Sequence, residues 1–166
     1  MAWVAVGIGA NMGDLQASFH LARRELSTLL GEPRFSQVYR TAPLYDLDQP
    51  DFWNAVALGQ TELSPRDLLL RLKQIEQQAQ RLHRRVNGPR ELDLDLLAYG
   101  SLALRQDVRQ DYQLRLPHPR LHERRFVLEP WLELDPTASI PVVGELAPHL
   151  EACLDQRLER HPDATL

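Results

Sequence analysis

The segment Leu92-Asp93-Leu94-Asp95-Leu96 alternates leucine with aspartate directly after the turn-like Asn87-Gly88-Pro89-Arg90. A strand has a side-chain period of two, so Asp93 and Asp95 share one face and the three leucines share the other. Aspartate is depleted in strands, and two like charges on one face repel unless a cation or solvent screens them. The leucine face must therefore be buried firmly enough to hold the strand against that cost. Two readings stay open at this point. One is a half-buried strand that shows a polar face to water, the commoner fate of such alternation. The other is a divalent metal site. Two carboxylates without a His/Cys cluster suit Mg²⁺, which keeps waters and is bound through one or two carboxylates plus substrate phosphates, better than Zn²⁺.

With 166 residues, 43% of them hydrophobic and 25% charged, the chain is expected to form one domain over residues 1–158 with a real core. Residues 159–166 have little to pack and are expected to form a flexible tail. The net charge of −4 and a pI near 5.8 argue against a nucleic-acid-binding surface. Basic residues are bunched locally nonetheless: Arg81, His83, Arg84, Arg85 and Arg90 precede the aspartate pair, and Arg120, Arg124 and Arg125 follow it. Such patches on an acidic chain suggest a small anionic ligand, although a solvated surface also accounts for most of them. Cys153 is the only cysteine, so no disulfide framework is available and a reducing compartment is expected. No segment approaches the roughly 20 apolar residues of a membrane span, and a cytoplasmic protein is expected.

Residues 2–9 read as a first strand, closed by Gly9-Ala10-Asn11. Asp14 is placed to cap a helix carrying Leu15, Phe19, Ala22, Leu26 and Leu29 on one stripe, with Gly31 after it. Residues 35–40 read as a second strand, 41–50 as a loop long enough to be functional, and 54–60 as a third strand. Ser64-Pro65 starts a helix with Leu68, Leu69, Leu72, Ile75, Ala79 and Leu82 on one stripe. Glu76 lies at the edge of that stripe, either as an ordinary surface charge or turned into a site. Residues 92–99 read as a fourth strand, 105–117 as polar and irregular, and a last helix is expected over 146–158. The order βαββαβ implies an α+β fold with a ferredoxin-like core, a mostly antiparallel sheet with helices packed on it.

Together these motifs resemble a known family. Gly7-Ile8-Gly9-Ala10-Asn11, Tyr39-Arg40-Thr41-Ala42-Pro43-Leu44, Asp48-Gln49-Pro50-Asp51-Phe52-Trp53-Asn54, Gly88-Pro89-Arg90 before the aspartates, and Pro117-His118 with Arg124 and Phe126 occur in the order and spacing of 6-hydroxymethyl-7,8-dihydropterin pyrophosphokinases. The resemblance runs from about residue 3 to about residue 145. It implies transfer of the β,γ-diphosphate of ATP to the pterin hydroxymethyl group in folate biosynthesis, with AMP released, by a monomer.

The resemblance also implies roles for particular residues. Asp93 and Asp95 would hold two Mg²⁺ ions on the ATP phosphates. Phe52 and Phe126 would sandwich the pterin, each stacked pair adding on the order of 0.5–1.5 kcal/mol beyond area burial. Asn54 would read the amide-like edge of the ring, with Thr41, Pro43 and Leu44 lining the pocket. Arg81, Arg90 and Arg124 would meet phosphates, His118 would donate to the triphosphate, and Glu76 and His83 would sit on the nucleotide side. Residues 41–50 and 83–90 would move over the substrates. Several positions depart from the family pattern, mostly on the ATP side: Asn87 stands where a tryptophan is usual, His83 for an arginine, Pro119 for a frequent tyrosine and Tyr45 for a glycine. The aspartate pair alone also fits a two-metal nucleotidyltransferase, though the only Gly-Ser, Gly100-Ser101, follows the strand rather than preceding it. The altered nucleotide side also leaves a non-catalytic pterin- or nucleotide-binding paralogue in view. The lack of a GxxxxGK[ST] element argues against a P-loop kinase.

Overall fold

Ala2–Ala10 forms β1, which sends Val4, Val6 and Ile8 into one core and Ala5 into another on the opposite face. The computed structural model describes residues 1–43, 48–82, 92–109, 112–164 and 166. Asp14 opens α1 (Leu15–Leu29), its carboxylate accepting from the Ala17 amide at 3.0 Å and so satisfying one of the unpaired first-turn donors. Phe19, Ala22 and Leu26 are buried at the helical spacing read from the sequence.

The single strand expected over 35–40 is two strands, β2 (Gly31–Phe35) and β3 (Tyr39–Thr41). Glu32 at φ 47° and the following Pro33 shift the ladder between Gly31 and Arg34. Ser36 then breaks the run, its hydroxyl taking the Val56 amide at 2.9 Å in place of a backbone acceptor. Both pair with β4 (Phe52–Thr61). Ser64 caps α2 (Pro65–Leu82) by accepting from the Asp67 amide at 3.1 Å, and Leu68, Leu72, Ile75 and Ala79 are buried. β5 (Asp93–Tyr99) follows, with the aspartates half-buried and Leu94 and Leu96 buried.

Residues 105–117, expected to be irregular, contain a hairpin of β6 (Leu104–Arg109) and β7 (Tyr112–Leu116). Leu114 and Leu116 point inward while Gln113 and Arg115 are exposed, so the period of two was present under a high density of polar residues. α3 (Arg125–Leu134) buries Val127, Leu128 and Trp131. A short ribbon of β8 (Ser139–Ile140) and β9 (Gly144–Glu145) precedes α4 (Ala147–Ala152), which ends well before the expected residue 158.

The terminal segment is not the loose tail expected for 159–166. Leu158–Arg160 forms β10, antiparallel to β3, and so covers what would otherwise be an open sheet edge. Arg40 binds Glu159, the His161 ring lies edge-on 4.7 Å from Trp53, and Ala164 is buried.

The main sheet runs β10-β3-β4-β1-β5, antiparallel throughout, with β2 also on β4. This is the ferredoxin-like arrangement. α1 and α2 pack with Val6, Ile8, Leu94 and Leu96 on one face, and α3 packs with Val56, Leu58 and Leu97 on the other. Each such side chain contributes about 1.5–3 kcal/mol when fully buried. A cavity opens between the sheet and the first turn of α3.

Candidate active site

The strand register assembles this cavity. Gly9 on β1 lies opposite Asn54 on β4 and opposite Asp93 on β5, and Gly7 lies opposite Asp95. Directly opposed residues share a face, so an amide, a bare glycine and a carboxylate form one row across three strands. Glycine inside a strand marks a close approach; here it leaves an open floor. The cavity, about 210 Å³, is walled by Thr41, Phe52 and Asn54 on one side, by Arg124 and Phe126 at the start of α3, and by the two aspartates.

Seven residues singled out in the sequence are thus brought together. Asn54 donates to the Thr41 hydroxyl at 3.1 Å, and both are buried, which fixes the amide with its oxygen toward the Gly9 floor. Phe52 and Phe126 enter from different elements, β4 and α3. The guanidinium of Arg124 lies 5.6 Å from the centre of the Phe126 ring, and its buried Nε has no hydrogen-bond partner among the described residues. A half-buried guanidinium with a donor to spare is suited to an anionic ligand.

A second cavity, about 290 Å³, lies on the other side of Asp95, which lines both. Its further walls include Lys73, Tyr112, Arg115, His118 and Pro119. The His118 amide donates to the Leu97 carbonyl at 2.8 Å, and its Nδ1 accepts from the Arg120 amide at 3.3 Å. Burial lowers the His118 pKa; Asp95 opposes this and Arg124, Arg120 and Arg115 reinforce it. The neutral ring then carries its hydrogen on Nε2 and acts as a donor.

Glu76, expected on the nucleotide side, lines neither of these two cavities. Its buried carboxylate accepts from the Leu94 amide at 2.8 Å and from Lys73 Nζ at 2.9 Å, behind the aspartate strand. Burial raises its pKa, Lys73 and the Leu94 amide pull it back down, and Asp93 adds to the rise. Pro43 is buried beyond the cavity lining. Arg81 lies in the last turn of α2, with its side chain outside the described residues. Leu44, Tyr45, His83, Asn87 and Arg90 all fall outside the described residues. Lys73, Arg115 and the Gly7/Gly9 floor were not picked out individually from the sequence. The two glycines had a signal, their repeat at strand spacing; Lys73 and Arg115 had none.

Among the described residues no group of three or more His, Cys, Asp and Glu could hold a metal. The donor set is two carboxylates, which fits Mg²⁺ completed by ligand phosphates and water and does not fit a closed zinc site. No helix among the described residues is long and apolar enough to cross a membrane.

The family model described as 7,8-dihydro-6-hydroxymethylpterin-pyrophosphokinase matches residues 5–136. The 2-amino-4-hydroxy-6-hydroxymethyldihydropteridine pyrophosphokinase of Aquifex aeolicus is 34% identical over 142 residues, covering 86% of each chain. The mitochondrial folate synthesis bifunctional protein of Pisum sativum is 38% identical over 136 residues, 81% of this chain and 25% of that one. The chain thus spans about a quarter or less of the plant folate synthesis bifunctional proteins and of the fungal folic acid synthesis protein it matches. Among solved structures, wild-type HPPK-DHPS of Plasmodium falciparum with SDX-DHP superposes at a TM-score of 0.74 with 13% identity, over 93% of this chain and 44% of that one. That likeness is one of fold. With the sequence match running from the first strand to just past α3, across every described residue of both cavities, the chain belongs to the 7,8-dihydro-6-hydroxymethylpterin-pyrophosphokinase family.

Proposed function

We propose that the protein transfers the β,γ-diphosphate of ATP to the hydroxymethyl oxygen of 6-hydroxymethyl-7,8-dihydropterin in folate biosynthesis, as a cytoplasmic monomer without nucleic-acid partners. The observation that carries this reading is that Asp95 lines two different cavities. One is lined by aromatic rings and a fixed amide and suits a flat heterocycle. The other, lined by Lys73, Arg115 and His118, suits a polyphosphate.

In the first cavity Phe52 and Phe126 hold the pterin ring, and Asn54, oriented by Thr41, reads its polar edge. In the second, neutral His118 donates to a phosphate oxygen, and Arg124 offsets charge where the transferred group passes between the cavities. Asp93 and Asp95 would hold two Mg²⁺ ions, which supply charge neutralisation on the phosphates when bound. Arg81 and Arg90 add phosphate contacts on the sequence match alone. The hydroxymethyl oxygen forms a bond to the β-phosphorus, the bond to the α-phosphate oxygen breaks, AMP leaves, and the hydroxyl proton is lost to solvent.

Incubating the protein with ATP, Mg²⁺ and hydroxymethyldihydropterin and separating the nucleotides tests this. AMP in step with pterin diphosphate is the expected result. Pyrophosphate release would indicate a nucleotidyltransferase instead, and intact ATP a binding protein.

A further inference from the structure

We infer that Glu76 is a positioning residue for the paired aspartates, holding their strand from behind through the backbone amide of Leu94, the residue that lies between them. Among the described residues β5 ends the main sheet, with β1 as its neighbour in the strand order. On such an edge, alternate amides point away from the sheet and need another acceptor. The Leu94 amide is one of these, and the Glu76 carboxylate takes it at 2.8 Å.

The choice of acceptor is informative. Water or a neutral side chain would satisfy an edge amide at little cost, whereas a carboxylate that is only 6% exposed must be stripped of most of its hydration. Lys73, at 2.9 Å from the same oxygen, offsets that cost. Leu94 is flanked by Asp93 and Asp95, so any turn of the backbone at Leu94 swings both carboxylates. The Leu94 and Leu96 side chains in the core fix the strand in depth, and Glu76 fixes it along the sheet plane. The same carboxylate also restrains Lys73, which lines the cavity beside Asp95. Glu76 thus acts through β5 and Lys73 rather than by touching a ligand.

This inference rests on the reading that Asp93 and Asp95 bind the metal, and the experiment separates the two. Mn²⁺ is titrated into the protein by electron paramagnetic resonance with a non-hydrolysable ATP analogue present, for the native chain, Glu76→Asp, Glu76→Gln and Asp95→Ala, each checked for cooperative melting. Glu76→Asp keeps the charge but cannot reach the Leu94 amide; Glu76→Gln keeps the acceptor and loses the charge. The expected result is Mn²⁺ affinity at least tenfold weaker in Glu76→Asp, recovered to within threefold of native in Glu76→Gln, with pterin affinity within threefold in both. Native Mn²⁺ affinity in Glu76→Asp, or a loss in Glu76→Gln as large as in Glu76→Asp, overturns the positioning role. Native Mn²⁺ affinity in Asp95→Ala overturns the metal assignment itself.

Discussion

Gly9 and Asn54 face each other across β1 and β4, and a Cβ on Gly9 would lie 3.2 Å from Asn54 Oδ1. That is tighter than an ordinary contact, and Asn54 is not free to retreat because its Nδ2 is bonded to the buried Thr41 hydroxyl. Gly9→Ala is therefore expected to push the amide out of place at a cost of about 1 kcal/mol, the worth of one hydrogen bond. This corresponds to a rise of about fivefold in the KM for pterin. The KM for ATP should stay within twofold, because Gly9 does not line the second cavity. Steady-state kinetics with each substrate varied in turn check this, and equal rises in both constants would show that the glycine serves the fold rather than the pterin side.

Asp95 is the residue the two cavities share. Asp95→Ala removes a carboxylate from the junction while leaving Phe52, Asn54 and Phe126 intact. Turnover is expected to fall by about 10³-fold or more, equivalent to at least ~4 kcal/mol of transition-state stabilisation. Pterin affinity, followed by the ligand's own fluorescence, should change by less than threefold. Unchanged turnover would discredit the assignment of Asp95.

Much of this site was legible because strand periodicity is a short-range signal. The alternation around Asp93 and Asp95 gave both their shared face and the buried leucines, and the caps at Asp14 and Ser64 set the two helix starts. What stayed hidden was set by tertiary partners. Nothing local marks Glu76 as the acceptor for Leu94, since the pairing links a helix to a strand 18 residues away. Residue 158 read as the end of a helix and residues 159 and 160 as tail, because their polar sequence carries no strand pattern; they pair with the edge of β3. Residues 112–116 carry the pattern, but arginine and glutamine between the leucines outweighed it.

The terminal strand offers a further test. Leu158 pairs with Thr41, and His161 covers Trp53, which in turn meets Phe19 edge-on at 5.8 Å. Removing residues 158–166 exposes the β3 edge and one face of Trp53. Stability is expected to drop by about 2–3 kcal/mol, the scale of uncovering one large side chain. Because Thr41 loses its backbone partner, the KM for pterin should rise as well. Urea unfolding and pterin kinetics on the truncated chain measure the two effects; native values for both would mean that β10 contributes nothing to β3.

Tyr39 and Glu133 make a pH-dependent link between β3 and α3. The phenol donates to Glu133 Oε1 at 2.5 Å, while Glu133 Oε2 accepts from the Gln37 amide at 2.8 Å. Burial, assisted by the Glu133 hydrogen bond and charge, raises the Tyr39 pKa from 10.0 to about 12, with Arg160 acting in the opposite direction. Between those values the folded chain keeps a proton that the unfolded chain releases, so stability declines as pH rises through this window and is fully present below it. Tyr39→Phe has no proton to hold. It is expected to cost about 1 kcal/mol near neutrality, the net worth of one hydrogen bond. Its deficit relative to the native chain should shrink as pH rises above 10. Urea midpoints measured from pH 7 to pH 11 on both proteins give the comparison, and a constant gap across that range would show that the Tyr39 proton is not the one being lost.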